Sequence, residues 1–322
     1  MKAIVNTKYG SPDVLELKEI GKPIPKDNEV LIKVHASSVN AGDWHILRAD
    51  PFLVRLMVGL LKPKYQILGA DVAGRIEAVG KNIDQFQVGD EVYGDLSVCR
   101  FGGFAQYVST SIDALAKKPA NLTYQEAAAV PSAAVTALQG LRDHGHIQSG
   151  QKVLINGASG GVGTYAVQIA KSFGAEVTGV CSTRKVDMVL SIGADYVIDY
   201  TKENFTQNGQ HYDLILGANG YHPISDYNRA LSPKGRYVMS GGSMSQLYEV
   251  AFKGPFMSKK EGKSFENFVN KPNQKDLIFL TELLESGKVK PLIDRSYSLE
   301  DVPDAIRYLE EGHAKGKVVI TL

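Results

Sequence analysis

The stretch VLINGASGGVGTYAVQIAK, residues 153–171, contains a turn whose glycine spacing suits phosphate binding. Gly157, Gly160 and Gly163 form a G-x-x-G-x-x-G pattern between a β-branched run and an apolar-periodic segment. Glycines let a backbone turn tightly and approach a ligand, and the N–H groups at the start of a helix attract a diphosphate. The pattern in this context predicts a dinucleotide site, and a purely structural glycine turn is the alternative.

A second polar group stands where the next strand should end. Cys181, Ser182, Thr183, Arg184 and Lys185 lie about 20 residues beyond the turn, where an NAD site carries a carboxylate for the ribose. Hydroxyl groups and cations suit a 2′-phosphate, which a carboxylate would repel. The sequence therefore predicts NADPH as the cofactor, unless Arg184 and Lys185 are merely solvated residues opening a helix.

The elements that must position these residues follow two different sequence patterns. Residues 1 to about 124 alternate short β-rich runs with Gly, Pro and Asp turns, which predicts an irregular antiparallel β domain. Beyond them, strands alternate with helices predicted over 163–173 and 184–192, a pattern typical of βαβ units and a parallel sheet. We predict one domain from residues 1–124 and 267–322, and a dinucleotide-binding domain from residues 125–266.

Composition narrows the function classes. The 322 residues carry a net charge of +1, which gives no reason to expect nucleic acid as a partner. Cys99 and Cys181 are too few for a disulfide framework or a Cys-rich zinc site. The longest apolar run, residues 51–61, is too short to span a membrane, and the N-terminus resembles a strand rather than a targeting segment. We expect a cytoplasmic protein.

Apolar residues in the segment 48–65 recur at the spacing of one helix face. A helix packed on the core is the preferred interpretation, and a hydrophobic lid for apolar carbonyl substrates is the alternative. The residues concerned are Phe52, Leu53, Leu56, Met57, Leu60 and Leu61.

Motifs along nearly the whole chain resemble one family. They include VHASSVNAGDWHILRAD, ILGADVAGRIEAVG, VGDEVYG, AAAVPSAAVTALQGL, NGASGGVG and GADYVIDY. The chain resembles the zinc-independent, quinone-oxidoreductase-like branch of the medium-chain dehydrogenase/reductase superfamily. The resemblance implies an α/β fold, with a Rossmann doubly wound parallel sheet and a GroES-like irregular β-barrel catalytic domain.

The absence of zinc-ligand residues indicates the zinc-independent branch of this superfamily. Zinc-dependent relatives have Gly-His-Glu where this chain has Gly69, Ala70 and Asp71, and a Cys within the segment that matches VNAGDW. Without thiolate or imidazole at these places, a four-coordinate N/S zinc site cannot be assembled. We therefore expect no metal site.

The resemblance also assigns site residues. Asn40 and Asp43 match a polar pair facing the nicotinamide, where Asn40 would donate to the substrate carbonyl and Asp43 would hold the geometry or orient a water. An Asx-type turn closing a strand is the alternative for both. The residues expected at the cofactor are Thr136, Gly157, Ser159, Gly160, Gly161, Val162, Gly163, Ser182, Arg184, Lys185, Tyr200, Asn219, Ser240, Gly241 and Lys317.

The predicted function is an NADPH-dependent oxidoreductase that transfers a hydride to quinones or α,β-unsaturated carbonyls. The alternative is an NADPH-binding redox sensor or structural protein with little turnover. A homodimer is left open.

Overall fold

The structure, a computed structural model, describes the backbone of residues 1–322 and the side chains of residues 1–257 and 262–322. It divides into two compact units. The first comprises Met1–Ser132, Lys271–Glu285 and Pro291–Leu322, so both ends of the chain contribute to it. The second comprises Ala133–Asn270 and Ser286–Lys290.

The elements up to Gln139 include seven strands. They are β1 (Lys2–Asn6), β2 (Leu15–Glu19), β3 (Glu29–Val39), β4 (Asp71–Val79), β5 (Glu91–Asp95), β6 (Tyr107–Ser111) and β7 (Leu115–Lys117). The α-helices are α1 (Ala41–Arg48), α2 (Arg55–Val58), α3 (Tyr124–Ala128) and α4 (Pro131–Gln139). Single 3₁₀ turns lie at Pro12–Val14, Phe52–Val54, Leu96–Cys99 and Ile112–Ala114.

Strands and helices alternate through the second unit. Its elements are a π-helical turn (Gly140–His144), β8 (Lys152–Asn156), α5 (Gly161–Ser172), β9 (Glu176–Cys181), a 3₁₀ turn (Thr183–Lys185), α6 (Val186–Ser191), β10 (Tyr196–Asp199), β11 (Tyr212–Gly217), α7 (Ile224–Ala230), β12 (Leu231–Met239), α8 (Met244–Glu261) and β13 (Ser264–Asn267). The tail adds α9 (Gln274–Glu285), β14 (Ile293–Ser298), α10 (Val302–Glu310) and β15 (Lys317–Thr321).

The main sheet of the first unit has the order β14-β15-β3-β4-β5-β7, with β6 also paired to β3. Every pairing in it is antiparallel except that of β14 with β15. Alternate residues of β3, Val30, Ile32 and Val34, point into one buried core cluster, as period-2 burial on a sheet requires. The predicted antiparallel β architecture is confirmed.

The sheet of the second unit is wholly parallel and has the order β10-β9-β8-β11-β12-β13. Counted from β8, this is the 3-2-1-4-5-6 order of a dinucleotide-binding Rossmann sheet, and the order reverses between β8 and β11. The middle strands are apolar on both faces, as Leu154 and Ile155 of β8 show by being completely buried. The predicted Rossmann fold is confirmed.

Two predicted helices are shifted. The helix predicted from residue 163 starts two residues earlier, as α5, because Gly160 already has the extended backbone of an N-cap. The helix predicted over 184–192 is a 3₁₀ turn, Thr183–Lys185, followed by α6. Arg184 and Lys185 therefore lie in a turn before the α-helix.

The single helix predicted over residues 48–65 is wrong. The segment holds the end of α1, a 3₁₀ turn, the four-residue α2 and a loop. Gly59 ends α2 with a φ of +117°, which glycine adopts readily. The six apolar side chains of this segment are between 56% and 90% exposed, so the preferred interpretation as a core-packed helix is also wrong. None of the helices whose residues are described is long and apolar enough to cross a membrane.

Gly163→Ala should destabilise the protein, because the added Cβ would lie 2.0 Å from the carbonyl oxygen of Gly157. Backbone atoms must then move, and such overpacking lowers the free energy of unfolding by about 1–3 kcal/mol. Gly21→Ala is the matched control, since a Cβ there would have no atom within 4 Å and Gly21 lies in the loop between β2 and β3. We expect a change within about 0.5 kcal/mol for the control in urea denaturation. Equal losses in the two variants would contradict the steric account.

Candidate functional site

The first unit contains a buried ion pair between Asp71, at the start of β4, and Lys317, at the start of β15. Lys317 Nζ lies 3.2 Å from Asp71 Oδ2, and the two side chains are 3% and 0% exposed. The strand order β15-β3-β4 brings the two strand ends together. Taking two charges out of water is costly unless both are paired and hydrogen-bonded. The other bonds of the pair therefore matter for its stability.

Asp71 accepts hydrogen bonds from three further groups. The Ser38 hydroxyl and Asn40 Nδ2 donate to Oδ2, the latter at 2.9 Å. The backbone N–H of Ser132 donates to Oδ1 at 2.8 Å. With Lys317 as a fourth donor, both carboxylate oxygens have hydrogen-bond partners, as a buried charged group requires.

Asn40 is bound by both members of the pair. Its Oδ1 accepts from Lys317 Nζ, and one Nδ2–H donates to Asp71. Because an ammonium can only donate and a carboxylate only accepts, these partners fix which way the amide points. The side chain is half-buried, and its second Nδ2–H has no acceptor among the residues whose side chains are described. Asn40 can therefore donate to a ligand through that N–H.

Asn40 and Asp43 also form the N-terminal cap of α1. Asp43 Oδ2 accepts the backbone N–H of Asn40 at 2.8 Å, and Oδ1 accepts that of Gly69 at 3.2 Å. This helix cap takes the place of the simple Asx-type turn that the sequence left open. Asp43 is 1% exposed, and burial raises its pKa to about 7 despite the two backbone N–H groups. Its carboxyl group thus retains its proton to nearly neutral pH.

A third buried carboxyl group, Asp95, lies opposite Asp71 across the β4–β5 pair. Its Oδ1 accepts the Ser97 N–H at 2.8 Å, whereas Oδ2 has no partner in the described part of the chain. Burial, and after it the negative charge of Asp71, raise the pKa of Asp95 to about 6. The described side chains include no group of three or more His, Cys, Asp or Glu placed to hold a metal ion.

Sequence reasoning used Asp71 only as a departure from a zinc motif and did not consider Asp95. Asp71 follows the apolar run ILGA at the start of a strand, and Asp95 ends the strand EVYGD. A charged residue at the end of a buried strand is the signal that could have identified both. Buried carboxylates are rare unless they are paired, so such a position indicates a polar partner nearby.

The glycine turn of the second unit follows β8 directly. Gly157 has a φ of +86°, Gly160 is the N-cap of α5, and Gly161, Val162 and Gly163 form the first helical turn. The first N–H groups of a helix lack partners inside the helix and favour an anion. A Cβ on Gly160 would enter nearly open space, so the turn leaves room for a ligand at the helix start. These features fit a diphosphate group.

Other predicted cofactor residues lie close to this turn, at the point between β8 and β11 where the strand order reverses. A Cβ on Gly157 would lie 2.9 Å from the backbone nitrogen of Asn219, and one on Gly241 would lie 2.5 Å from the Ala218 oxygen. The Ser240 N–H donates to the Gly217 oxygen at 3.0 Å. The structure thus gathers these residues at the carboxyl ends of β8, β11 and β12. Ser159 is buried within the same turn.

Asn156, which sequence reasoning missed, joins two of these strand ends. Its backbone oxygen accepts the N–H groups of Ala218 and Asn219, at 3.0 and 3.1 Å. Its side chain donates to the buried Tyr227 hydroxyl at 2.9 Å. An amide that ends an otherwise apolar strand, VLIN, was the available signal.

The residues predicted for the 2′-phosphate also lie together. Ser182 precedes the turn that holds Arg184 and Lys185, and the Tyr200 N–H donates to the Cys181 oxygen at 3.0 Å. Arg184 and Tyr200 are exposed.

A carboxylate lies at the same strand ends. Asp199 accepts the Thr183 hydroxyl at 2.5 Å and that of Thr201 at 2.7 Å. The Thr183 hydroxyl is the largest influence that lowers the Asp199 pKa to about 2. Lys202, 3.4 Å away, offsets its charge.

Two predicted cofactor residues lie elsewhere. Thr136 is half-buried on α4. Lys317 belongs to the first unit, where it binds Asn40 and Asp71.

Comparison with known proteins covers both units. Residues 26–120 match the alcohol dehydrogenase GroES-like domain, and residues 192–320 match the zinc-binding dehydrogenase family. The chain is 37% identical to a 2-methylene-furan-3-one reductase of Solanum lycopersicum, over 99% of this chain and 79% of the relative.

Two further similar proteins span most of the chain. An NADPH-dependent alkenal/one oxidoreductase, chloroplastic, of Arabidopsis thaliana is 34% identical over 99% of this chain and 79% of its own length. The solved quinone oxidoreductase from Coxiella burnetii superposes with a TM-score of 0.89 at 28% identity, covering 100% of this chain and 99% of that one.

Asp43 should contribute a decline in the stability of the protein as the pH rises from about 4 to about 7. The unfolded chain releases this proton near the ordinary carboxyl pKa of about 4, whereas folded Asp43 holds it to about 7. The folded state therefore binds more protons in this range, and each rise in pH favours unfolding. Asp95 contributes in the same direction up to about pH 6.

Urea denaturation across this pH range measures the effect. Asp43→Asn should flatten the decline, while Asp27→Asn, at an exposed carboxylate, should leave it unchanged. A decline of wild-type slope in Asp43→Asn would show that Asp43 is not its source.

Proposed function

Because the chain belongs to the quinone-oxidoreductase-like group of the medium-chain dehydrogenase/reductase family and is an oxidoreductase, we propose that it is an NADPH-dependent, zinc-independent reductase of quinones or α,β-unsaturated carbonyls. The names of its relatives, a furanone reductase, an alkenal/one oxidoreductase and a quinone oxidoreductase, support this substrate class. The observation that carries the proposal is the Asn40 amide, which Lys317 and Asp71 orient while one N–H stays free to donate.

We assign the dinucleotide to the second unit. The N–H groups of the first turn of α5 bind the diphosphate, and the loops at Asn219 and Ser240 line the nicotinamide half. Thr136 is proposed to contact the nicotinamide, as the family resemblance implies. When bound, the nicotinamide supplies the hydride.

The 2′-phosphate is assigned to Ser182, Arg184, Lys185 and Tyr200. Two cations and a hydroxyl in one turn suit a dianionic phosphate. The nearby Asp199 carboxylate would repel the phosphate, but its charge is partly offset. Two hydroxyl groups donate hydrogen bonds to it, and Lys202 pairs with it.

Asn40 stabilises the reacting carbonyl. Negative charge develops on the carbonyl oxygen as the conjugated carbon is reduced, and a fixed donor at that oxygen lowers the barrier. The Lys317 ammonium on Asn40 Oδ1 draws electron density from the amide and so strengthens the N–H donor. Asp71 holds the other N–H and with it the orientation of the group.

Asp43 acts as a positioning residue. Both its oxygens already accept backbone N–H groups, and it is almost completely buried, so we assign it the placement of Asn40 at the start of α1. Solvent then supplies the proton that completes the reduction.

Zinc independence is supported by the surroundings of Asp71, whose oxygens bind Ser38, Asn40, Ser132 and an ammonium group. Metal analysis of the active protein tests it, and one zinc per chain that is required for turnover would contradict it. A cytoplasmic location stays a prediction, because the Arabidopsis relative is chloroplastic. A homodimer stays open.

Replacing Arg184 and Lys185 together by alanine should weaken NADPH binding by about 100-fold or more, because two charged hydrogen bonds of about 1.5–3 kcal/mol each are lost. NADH, which lacks the 2′-phosphate, should bind within about threefold of wild type. Calorimetric titration of both cofactors measures this. Lys152→Ala is the matched control, because this exposed cation lies at the amino end of β8, at the sheet edge opposite the proposed site, and should leave both affinities unchanged. Equal losses for NADPH and NADH would reject the assignment.

Asn40→Ala should lower kcat by about a hundred- to a thousandfold and change KM little, because the lost donor acts mainly on the developing oxyanion. Steady-state kinetics with NADPH and a panel of enones and quinones measures the split. The same panel tests the alternative of a binding protein with little turnover.

The control separates chemistry from helix capping. Thr123→Ala removes the N-cap of α3, which forms a capping box with Glu126, and should cost about 1 kcal/mol of stability with turnover unchanged. Wild-type kcat in a folded Asn40→Ala variant would reduce Asn40 to a helix cap.

A further inference from the structure

Residues 51–65, here called the apolar loop, present a surface that the proposed reaction does not use. Six large apolar side chains within ten residues are more than half exposed, from 56% to 90%. Single exposed apolar residues are ordinary, but a contiguous group of this kind marks an interaction site. The six are Phe52, Leu53, Leu56, Met57, Leu60 and Leu61.

The backbone of the apolar loop is tied to the first unit from its inner side. The Tyr9 hydroxyl lies 2.9 Å from the Val58 oxygen and 2.6 Å from the Gly59 oxygen. The Lys64 N–H donates to the Val58 oxygen at 2.7 Å, and the Arg55 guanidinium stands 5.0 Å from the Tyr9 ring centre. Val58 is buried while its neighbours are not. The inner side of the apolar loop is thus fixed to the first unit, while the six apolar side chains face outward.

The charges of the apolar loop all have one sign. It contains Arg55, Lys62 and Lys64 and no Asp or Glu, although the whole chain is nearly neutral. Lys62 and Lys64 are exposed beside Leu60 and Leu61. A fitting partner must therefore combine an apolar interior with a negatively charged surface.

These properties select among the partners. A second copy docked through the same loop would bring like charges together. The four-residue α2 is too short for a heptad seam or a helix-in-groove contact. Leu, Met and Phe beside Lys and Arg match the boundary of a bilayer, where apolar side chains enter the acyl region and cations meet anionic headgroups.

We propose that the apolar loop docks the protein onto the surface of an anionic lipid bilayer. The six apolar side chains enter the acyl boundary, and Lys62 and Lys64 extend to the headgroup phosphates. This attachment is peripheral and independent of the proposed reductase activity.

Sedimentation of the full chain with lipid vesicles tests the proposal. We expect at least about tenfold stronger partition onto phosphatidylcholine vesicles with about one third phosphatidylserine than onto phosphatidylcholine alone, and release at high salt. Absence of binding to the anionic vesicles would overturn the proposal.

Variants locate the contact. Leu56→Gln with Leu61→Gln, and separately Lys62→Gln with Lys64→Gln, should each lower the partition coefficient about tenfold or more. Phe252→Gln with Phe256→Gln is the matched control, because these side chains are 69% and 78% exposed on α8. This control should bind vesicles like the wild type.

Kinetics exclude the competing roles. Turnover of a water-soluble quinone without vesicles should be unchanged in the apolar-loop variants. A raised KM for that quinone together with wild-type vesicle binding would identify a substrate lid instead. Loss of a dimer in Leu56→Gln with Leu61→Gln, again with wild-type vesicle binding, would identify a surface between copies.

Discussion

The buried contact between Asp71 and Lys317 is the constraint on which the first unit depends. Either charge left alone in that interior would be strongly destabilising, so the two strand ends must stay together. The register meets this requirement, since Ser38 of β3 stands opposite Asp71 on one side and opposite Val319 of β15 on the other. Strand β3 therefore lies between the strand that begins with Lys317 and the strand that begins with Asp71.

Asn40 takes its place from this arrangement. It follows the end of β3 by one residue, which puts its amide between the two charges. The same residue starts α1, and Asp43 then closes the cap against Gly69, two residues before Asp71. Folding of the sheet and orientation of the proposed donor are therefore one event, and a group bound on two sides has little orientational freedom left to lose when a substrate binds.

The parts that the sequence predicted well are those encoded locally. The glycine turn is a run of seven residues whose steric need is visible in Gly163, and alternating strands and helices determine a parallel sheet. Asp71 and Lys317 are 246 residues apart, and only strand order joins them, so no local pattern revealed the pair. In the segment 48–65 the apolar residues do recur at helical spacing, but Gly59 and Pro63 interrupt any long helix. Periodicity also does not show whether the apolar face is buried or exposed.

The claim that Lys317 acts through Asn40 is tested most directly by a double-mutant cycle on kcat. The cycle compares Lys317→Met, Asn40→Ala and the double variant, each shown to be folded, with Lys317→Arg as the variant that keeps a cation. We predict that Lys317→Met lowers kcat about tenfold or more when Asn40 is present and by less than about twofold when it is alanine, giving strong coupling. Lys317→Arg should restore part of the loss. Fully additive effects of the two substitutions would contradict the account, because Lys317 would then act independently of the Asn40 amide.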